Sequence, residues 1–182
     1  MNTPFKYVGN IDVSEILEVF KNDITEDNWL EDTSRSEIFE VHKDTHMLKV
    51  LWDIDFTKKM GEKHDQNYNL FNFDKISKTL TDVYELHYKK GQIIRALFTR
   101  LNPHGEIPPH VDGGDSLGKC HRTHIPIITN EKNVFQISTE IKNLKAGEIW
   151  EICNTMVHTT KNMSDESRIH LIVDYMEDAP IH

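Results

Sequence analysis

Apolar side chains recur at helical spacing in two stretches of the first half of the chain and at a period of two through most of the second. Val13, Ile16, Leu17 and Phe20 fall on one face of a helix predicted over 12–22, and Asp12 followed by Glu15 resembles a capping box that opens it. Ile76, Leu80, Val83, Tyr84 and His87 share one side of a second helix predicted over 74–87, with Lys89-Lys90-Gly91 as its stop signal. Between them Leu48, Val50 and Trp52 alternate with polar neighbours, which predicts a strand over 47–53.

From Gly91 onward the texture is that of short strands separated by turn residues. The segments GQIIRALFTRL, RTHIPIIT, VFQIS, EIWEI and RIHLIVDYM are rich in β-branched and aromatic residues. They are broken by Asn102-Pro103-His104-Gly105, Asp112-Gly113-Gly114-Asp115, 129–133 and Lys145-Ala146-Gly147. Two facing antiparallel sheets of this kind make a mainly β architecture with flanking helices, a double-stranded β-helix (jelly-roll, cupin-like) core. Residues 91–182 are expected to form that catalytic core. Residues 1–90 are expected to be a mainly helical flank packed on it, not an independent domain. No repeat, low-complexity tract or long linker divides the chain.

At 182 residues the chain fits one such core. A chain of this size buries roughly 70% of its unfolded surface and needs no disulfide staple. Two cysteines without a CxxC pairing, Cys120 and Cys153, favour a reducing, cytoplasmic setting, with a single bridge between them left open. The N-terminal residues lack a basic-then-apolar signal region, and no apolar run approaches a membrane span, so no membrane partner is expected. A net charge of −9 argues against nucleic acid, whose binding relies on Lys and Arg neutralising phosphates. Eleven histidines raise the expectation of metal chemistry.

His110-Val111-Asp112 gives that chemistry a place. Side chains two apart on a strand point to the same side, so His110 and Asp112 can reach one ion together. Pro108 and Pro109 stiffen the approach, and Gly113 and Gly114 let the chain turn away afterwards. His158, 46 residues after Asp112, follows the strand-like EIWEI and is the candidate third ligand. Two imidazoles and one carboxylate on one face of a metal leave the opposite face open, the arrangement of non-haem Fe(II) oxygenases; the same donors can also hold Zn, Mn or Ni.

Arg168 lies ten residues after His158, on an alternating strand where it shares a face with His170, a further candidate for binding the co-substrate. A buried Arg is costly without an anion. The distal carboxylate of 2-oxoglutarate would supply one, in the bidentate geometry that guanidinium favours. The competing reading pairs Arg168 with a structural carboxylate such as Asp174 or Glu151. Arg122 and His124 form a second same-face pair, candidates for the other end of the co-substrate or for the primary substrate, or else a polar sheet face.

Together these residues resemble the aspartyl/asparaginyl β-hydroxylase family of Fe(II)/2-oxoglutarate-dependent dioxygenases. The resemblance runs over about 91–176, through Pro109-His110, Arg122-Thr123-His124, Gly147-Glu148-Ile149-Trp150-Glu151-Ile152, Asn154-Thr155-Met156-Val157-His158 and Arg168-Ile169-His170-Leu171-Ile172-Val173-Asp174. It implies His110 and His158 as iron ligands and Arg168 on the distal carboxylate of 2-oxoglutarate. It also implies contacts to the co-substrate from Arg122 and His124, and from Thr99, which matches a small hydroxyl position. The peptide hydroxylase that names the family has Gly where this chain has Asp112. The chain thus looks more like the complete triad of bacterial amino-acid hydroxylases in the wider superfamily.

The expected activity is hydroxylation of a C–H bond of an amino acid, peptide or protein side chain, with Fe(II) as cofactor, 2-oxoglutarate and O2 consumed, and succinate and CO2 released. The alternatives are a zinc-dependent cupin-like hydrolase or isomerase and a non-catalytic, metal-stapled binding module. Neither the primary substrate nor the oligomeric state follows from these residues.

Overall fold

The architecture is taken from a computed structural model that describes residues 3–52, 62–113 and 116–178. Two antiparallel sheets face each other, as the alternation downstream of Gly91 predicts. The larger sheet has the order β1 (Phe5–Asn10), β9 (Glu148–Ile152), β6 (His121–Ile128), β11 (Arg168–Glu177), β4 (Gly91–Leu101), β2 (Thr45–Trp52) and β3 (Glu62–Lys63). The smaller has the order β5 (Glu106–His110), β10 (His158–Asn162), β7 (Asn133–Ile137) and β8 (Glu140–Lys142). Helices α1 (Ser14–Asn22), α2 (Glu26–Leu30), α3 (Ser34–Ile38), α4 (Asp65–Leu70) and α5 (Phe73–Tyr84) precede the strand-rich half, together with a 3-10 turn at Glu40–His42.

β11 organises the molecule because both of its faces are buried. Its odd-numbered side chains, Ile169, Leu171, Val173 and Tyr175, join the main apolar cluster with Ile16, Trp29, Phe73, Leu80 and Tyr84 from the helices. Burying large apolar side chains stabilises by roughly 1.5–3 kcal/mol each, so this sheet–helix layer is the main source of cohesion. The even-numbered side chains, Arg168, His170, Ile172 and Asp174, face the opposite sheet. Pairing places Thr99 opposite His170, and both Arg95 and Arg122 opposite Asp174. One sheet face is therefore apolar and the other carries a row of buried charged and polar groups.

Several local expectations shift. α1 starts at Ser14, and Asp12 accepts from the Ser14 backbone N–H and hydroxyl (2.9 and 2.6 Å) in place of a capping box; Glu15 instead pairs with Lys75. The strand predicted over 47–53 begins earlier, at Thr45, and Asp53 lies outside the described residues. β1, β5 and β10 carry no clean apolar alternation, and they are recruited by pairing with neighbours. Their partners supply hydrogen bonds that their own sequences do not signal. Cys120 and Cys153 are both thiols, not bridged to each other.

Candidate metal centre

The pairing of β5 with β10 assembles the centre. His110 and His158 are Cα partners across these antiparallel strands, so their imidazoles leave the sheet side by side, ring centroids 4.2 Å apart. Between His158/His110 and the next pair, Thr160/Ile107, the register shifts; this irregularity accommodates Pro108 and Pro109, and β5 is an edge strand, where a missing N–H is tolerated. Two residues past His110, the Asp112 backbone N–H donates to the carbonyl of Asn154 at 3.0 Å, which brings the carboxylate back over the two rings. Asp112 Oδ1 stands 3.7 Å from His110 Nε2 and 3.8 Å from His158 Nε2. Among the described residues this is the group of His, Cys, Asp and Glu side chains close enough to hold an ion.

The donor set suits a divalent cation in its tautomers as well as in its positions. His110 Nδ1 lies 2.9 Å from the Pro108 carbonyl and His158 Nδ1 lies 3.0 Å from the Met156 carbonyl. A carbonyl only accepts, so each Nδ1 carries the proton and each Nε2 keeps its lone pair for the metal. Burial holds the His158 ring below its ordinary value, against the pull of Asp112, which keeps the ring neutral as a ligand must be. Phe135 lies nearly parallel to His158, with centroids 6.2 Å apart, and walls the cavity on that side.

The cavity continues from the three ligands to Thr99, His124, Thr160 and Arg168. Arg168 is 2% exposed, and its Nη1 donates to Thr160 Oγ1 at 2.6 Å. Its Nε has no hydrogen-bond partner, nor has Thr99 Oγ1, and no carboxylate among the described residues pairs with it. Burial alone pushes this guanidinium down to about 9. Both carboxylates named in the competing reading are engaged elsewhere: Asp174 by Arg95 and Arg122, Glu151 by His121, Tyr88 and Lys6. His170 is buried behind His124, with their Nδ1 atoms 3.5 Å apart, and burial plus the nearby Arg168 holds it well below the ordinary histidine value. A cationic, under-bonded guanidinium at one end and a metal triad at the other is a receptacle for a small dianion able to chelate.

Arg122 also lines the cavity, but its guanidinium is engaged. Nε and Nη2 donate to the two oxygens of Asp174, each at 2.8 Å, and Nη1 donates to Asp112 Oδ2 at 2.9 Å.

The family model for aspartyl/asparaginyl beta-hydroxylase matches residues 13–178 of this chain. The chain belongs to that family. As a member of the aspartyl/asparaginyl β-hydroxylase family it is a 2-oxoglutarate-dependent, non-haem iron oxygenase, with His110, Asp112 and His158 able to hold the iron. This sets aside the zinc hydrolase and the non-catalytic module. Solved structures agree on the fold. A prolyl hydroxylase from Trichoplax adhaerens, in complex with a peptide fragment of the hypoxia inducible factor oxygen degradation domain, is similar with a TM-score of 0.66 at 8% identity, over 97% of this chain and 84% of that one. A viral collagen prolyl hydroxylase from Paramecium bursaria Chlorella virus-1, solved with 2-oxoglutarate, gives 0.58 at 9% identity over 97% and 98%. A Pseudomonas putida prolyl-4-hydroxylase gives 0.54 at 8% over 98% and 95%.

Sequence reasoning did not single out His42, Thr45 or Thr160, which line the cavity. The His42 ring meets His110 edge-on at 5.4 Å. No local pattern marks it, because the turn that carries it meets β5 only once the chain has folded. Trp150 packs on Phe5 and Tyr7, outside the cavity lining. No helix among the described residues is long and apolar enough to cross a membrane.

Proposed function

We propose that this chain hydroxylates a C–H bond of an amino acid, peptide or protein side chain, consuming 2-oxoglutarate and O2 and releasing succinate and CO2. Iron bound with the keto-acid and O2 supplies the oxidising power, the hard part of the chemistry. The protein's part is to bind, orient and exclude water. His110, Asp112 and His158 would hold the ion. Arg168, assisted by Thr99 and Thr160, receives the distal carboxylate of the co-substrate. His124 faces the cavity from the metal side with His170 behind it, and Arg122 presents one edge there while it holds Asp112.

The observation that carries this reading is the state of Arg168. A guanidinium only 2% exposed beside a metal triad, without a carboxylate partner among the described residues, is a cost that only a bound anion offsets. A hydrolytic metal site would have no use for it.

Exposed apolar side chains bracket the ligands, Val111 between His110 and Asp112 and Val157 beside His158. They form a rim suited to a substrate larger than the cavity. The Trichoplax enzyme, a structural neighbour, holds a peptide, which supports a peptide or protein side chain for this chain as well. The two thiols favour a reducing, cytoplasmic setting.

The test is succinate formation from 2-oxoglutarate with Fe(II) and a panel of amino acids and peptides. His110→Ala and Asp112→Ala are expected to abolish it while the far-UV spectrum stays unchanged. Full turnover retained in both variants would remove the assigned centre.

A further inference from the structure

Asp112 presents two oxygens, and the fold treats them differently. Oδ1 is turned toward the two Nε2 atoms, while Oδ2 accepts from Arg122 Nη1 at 2.9 Å. Arg122 is fixed in turn by a two-bond fork to Asp174, whose carboxylate is fully buried. Arg95, also fully buried, donates from Nε to Asp174 Oδ2 at 2.6 Å and from Nη1 to Ser116 at 2.8 Å. The register explains the line-up: Asp174 on β11 is the Cα partner of Arg95 on β4 and of Arg122 on β6, so three adjacent strands aim alternating charges at the metal carboxylate.

We propose that Asp174 is a positioning residue that acts through Arg122 to keep Asp112 a one-oxygen metal ligand. This rests on the metal centre proposed above. A carboxylate with both oxygens available can chelate and occupy a coordination position that the co-substrate or O2 requires. With Oδ2 held by a guanidinium that is itself clamped, Asp112 can give only Oδ1. The open positions of the ion are thereby protected from a ligand already present.

A purely structural ion-pair chain would look similar in a stability assay, so the test reads the metal. Co(II) is used in place of iron, since its visible bands respond to coordination number and it is not turned over. The variants are Arg122→Met, which leaves the Arg95–Asp174 pair in place, and Asp174→Asn. Should Asp174→Asn not fold, the Arg95→Met/Asp174→Asn double variant replaces it, because that pair of changes removes one charge of each sign. Tyr84→Phe, which loses a buried bond to Thr123 on the opposite face of the sheet, controls for general destabilisation.

Arg122→Met and the Asp174 variant are expected to shift Co(II) affinity about 10- to 100-fold, the range for groups that orient a ligand. Both are also expected to alter the visible spectrum in the same way, whereas Tyr84→Phe leaves affinity and bands as in the wild type. Arg122→Lys, which keeps the charge but lacks the planar fork that holds Asp174 through two bonds while reaching Asp112, should restore stability but not the spectrum. Wild-type affinity and spectrum in folded Arg122→Met overturn the proposal by themselves. Failure of the wild-type chain to bind Co(II), or retention of binding in His158→Ala, would instead sink the metal centre on which it rests.

Discussion

Replacing Arg168 with Met should make the protein more stable and its co-substrate site worse, two effects that an ordinary structural arginine would not combine. The guanidinium is buried, keeps one bond to Thr160 and leaves Nε without a partner. Burial pushes it from the ordinary arginine value down to about 9. At 1.36 kcal/mol per pH unit that drop corresponds to roughly 5 kcal/mol of disfavoured charge, an upper figure. Losing the Thr160 bond gives back about 1–2 kcal/mol. A net gain of at most about 3–4 kcal/mol follows, which for a chain of this size raises Tm by roughly 6–16 °C. The sign with pH is definite. Both the folded and the unfolded values lie above neutrality, so the gain is constant through pH 5–8. It shrinks only above about pH 9, where the wild-type fold begins to shed the proton that the unfolded chain retains. With 2-oxoglutarate the order reverses. Removing one partner of a buried charge pair costs about 2–5 kcal/mol, at least a 30-fold higher half-saturating concentration. The assay is thermal unfolding with Co(II), with and without 2-oxoglutarate, followed by steady-state titration of the co-substrate with the iron enzyme. A variant that melts lower than wild type without ligand and keeps wild-type half-saturation would refute the argument and make Arg168 part of the scaffold.

Stability is expected to fall as the pH drops below 6.5, because His158 and His170 are held neutral in the fold and take protons only when it opens. The slope from these two reaches at most roughly 2.7 kcal/mol per pH unit, read from urea midpoints between pH 7 and 5; flat midpoints over that range would contradict it. Turnover should decline over the same acid range as ligand imidazoles protonate, and a level rate profile down to pH 5 would count against imidazole ligation. Gly147→Ala should destabilise by about 2 kcal/mol or more, since φ is +80° and a Cβ would lie 2.6 Å from the Ile11 carbonyl oxygen; an unchanged urea midpoint would show that the β9 approach can relax. Tyr84→Phe should cost about 1 kcal/mol through its hydroxyl contact with Thr123, measured by the same titration, with 2-oxoglutarate affinity unaltered.

Much of the centre could be read along the chain because its chemistry is local. His110 and Asp112 are two apart, Arg168 and His170 are two apart, and in both cases a period of two places them on one face. The strands β4, β9 and β11 are visible for the same reason, since burial on one or both faces leaves a regular trace in residue type. β1, β5 and β10 leave no such trace. They lie at sheet edges or carry polar and proline residues, so only a neighbouring strand makes them strands. The opening of α1 was misjudged because a capping box and an Asx turn call for the same residue types, and Asp12 took the nearer donor.

Residue order thus settled which groups can share a face and which chemistry they can perform: imidazole and carboxylate for a cation, guanidinium for an anion. It could not settle the choice of partners. Asp174 might have answered Arg168, six residues away on its own strand, yet the register with β4 and β6 hands it to Arg95 and Arg122. Side-chain periodicity is a property of one strand, whereas ion pairing depends on which strands lie beside it. That assignment left Arg168 buried without a carboxylate partner among the described residues, next to three metal donors, and made an enzyme site of what the sequence alone showed as separate motifs.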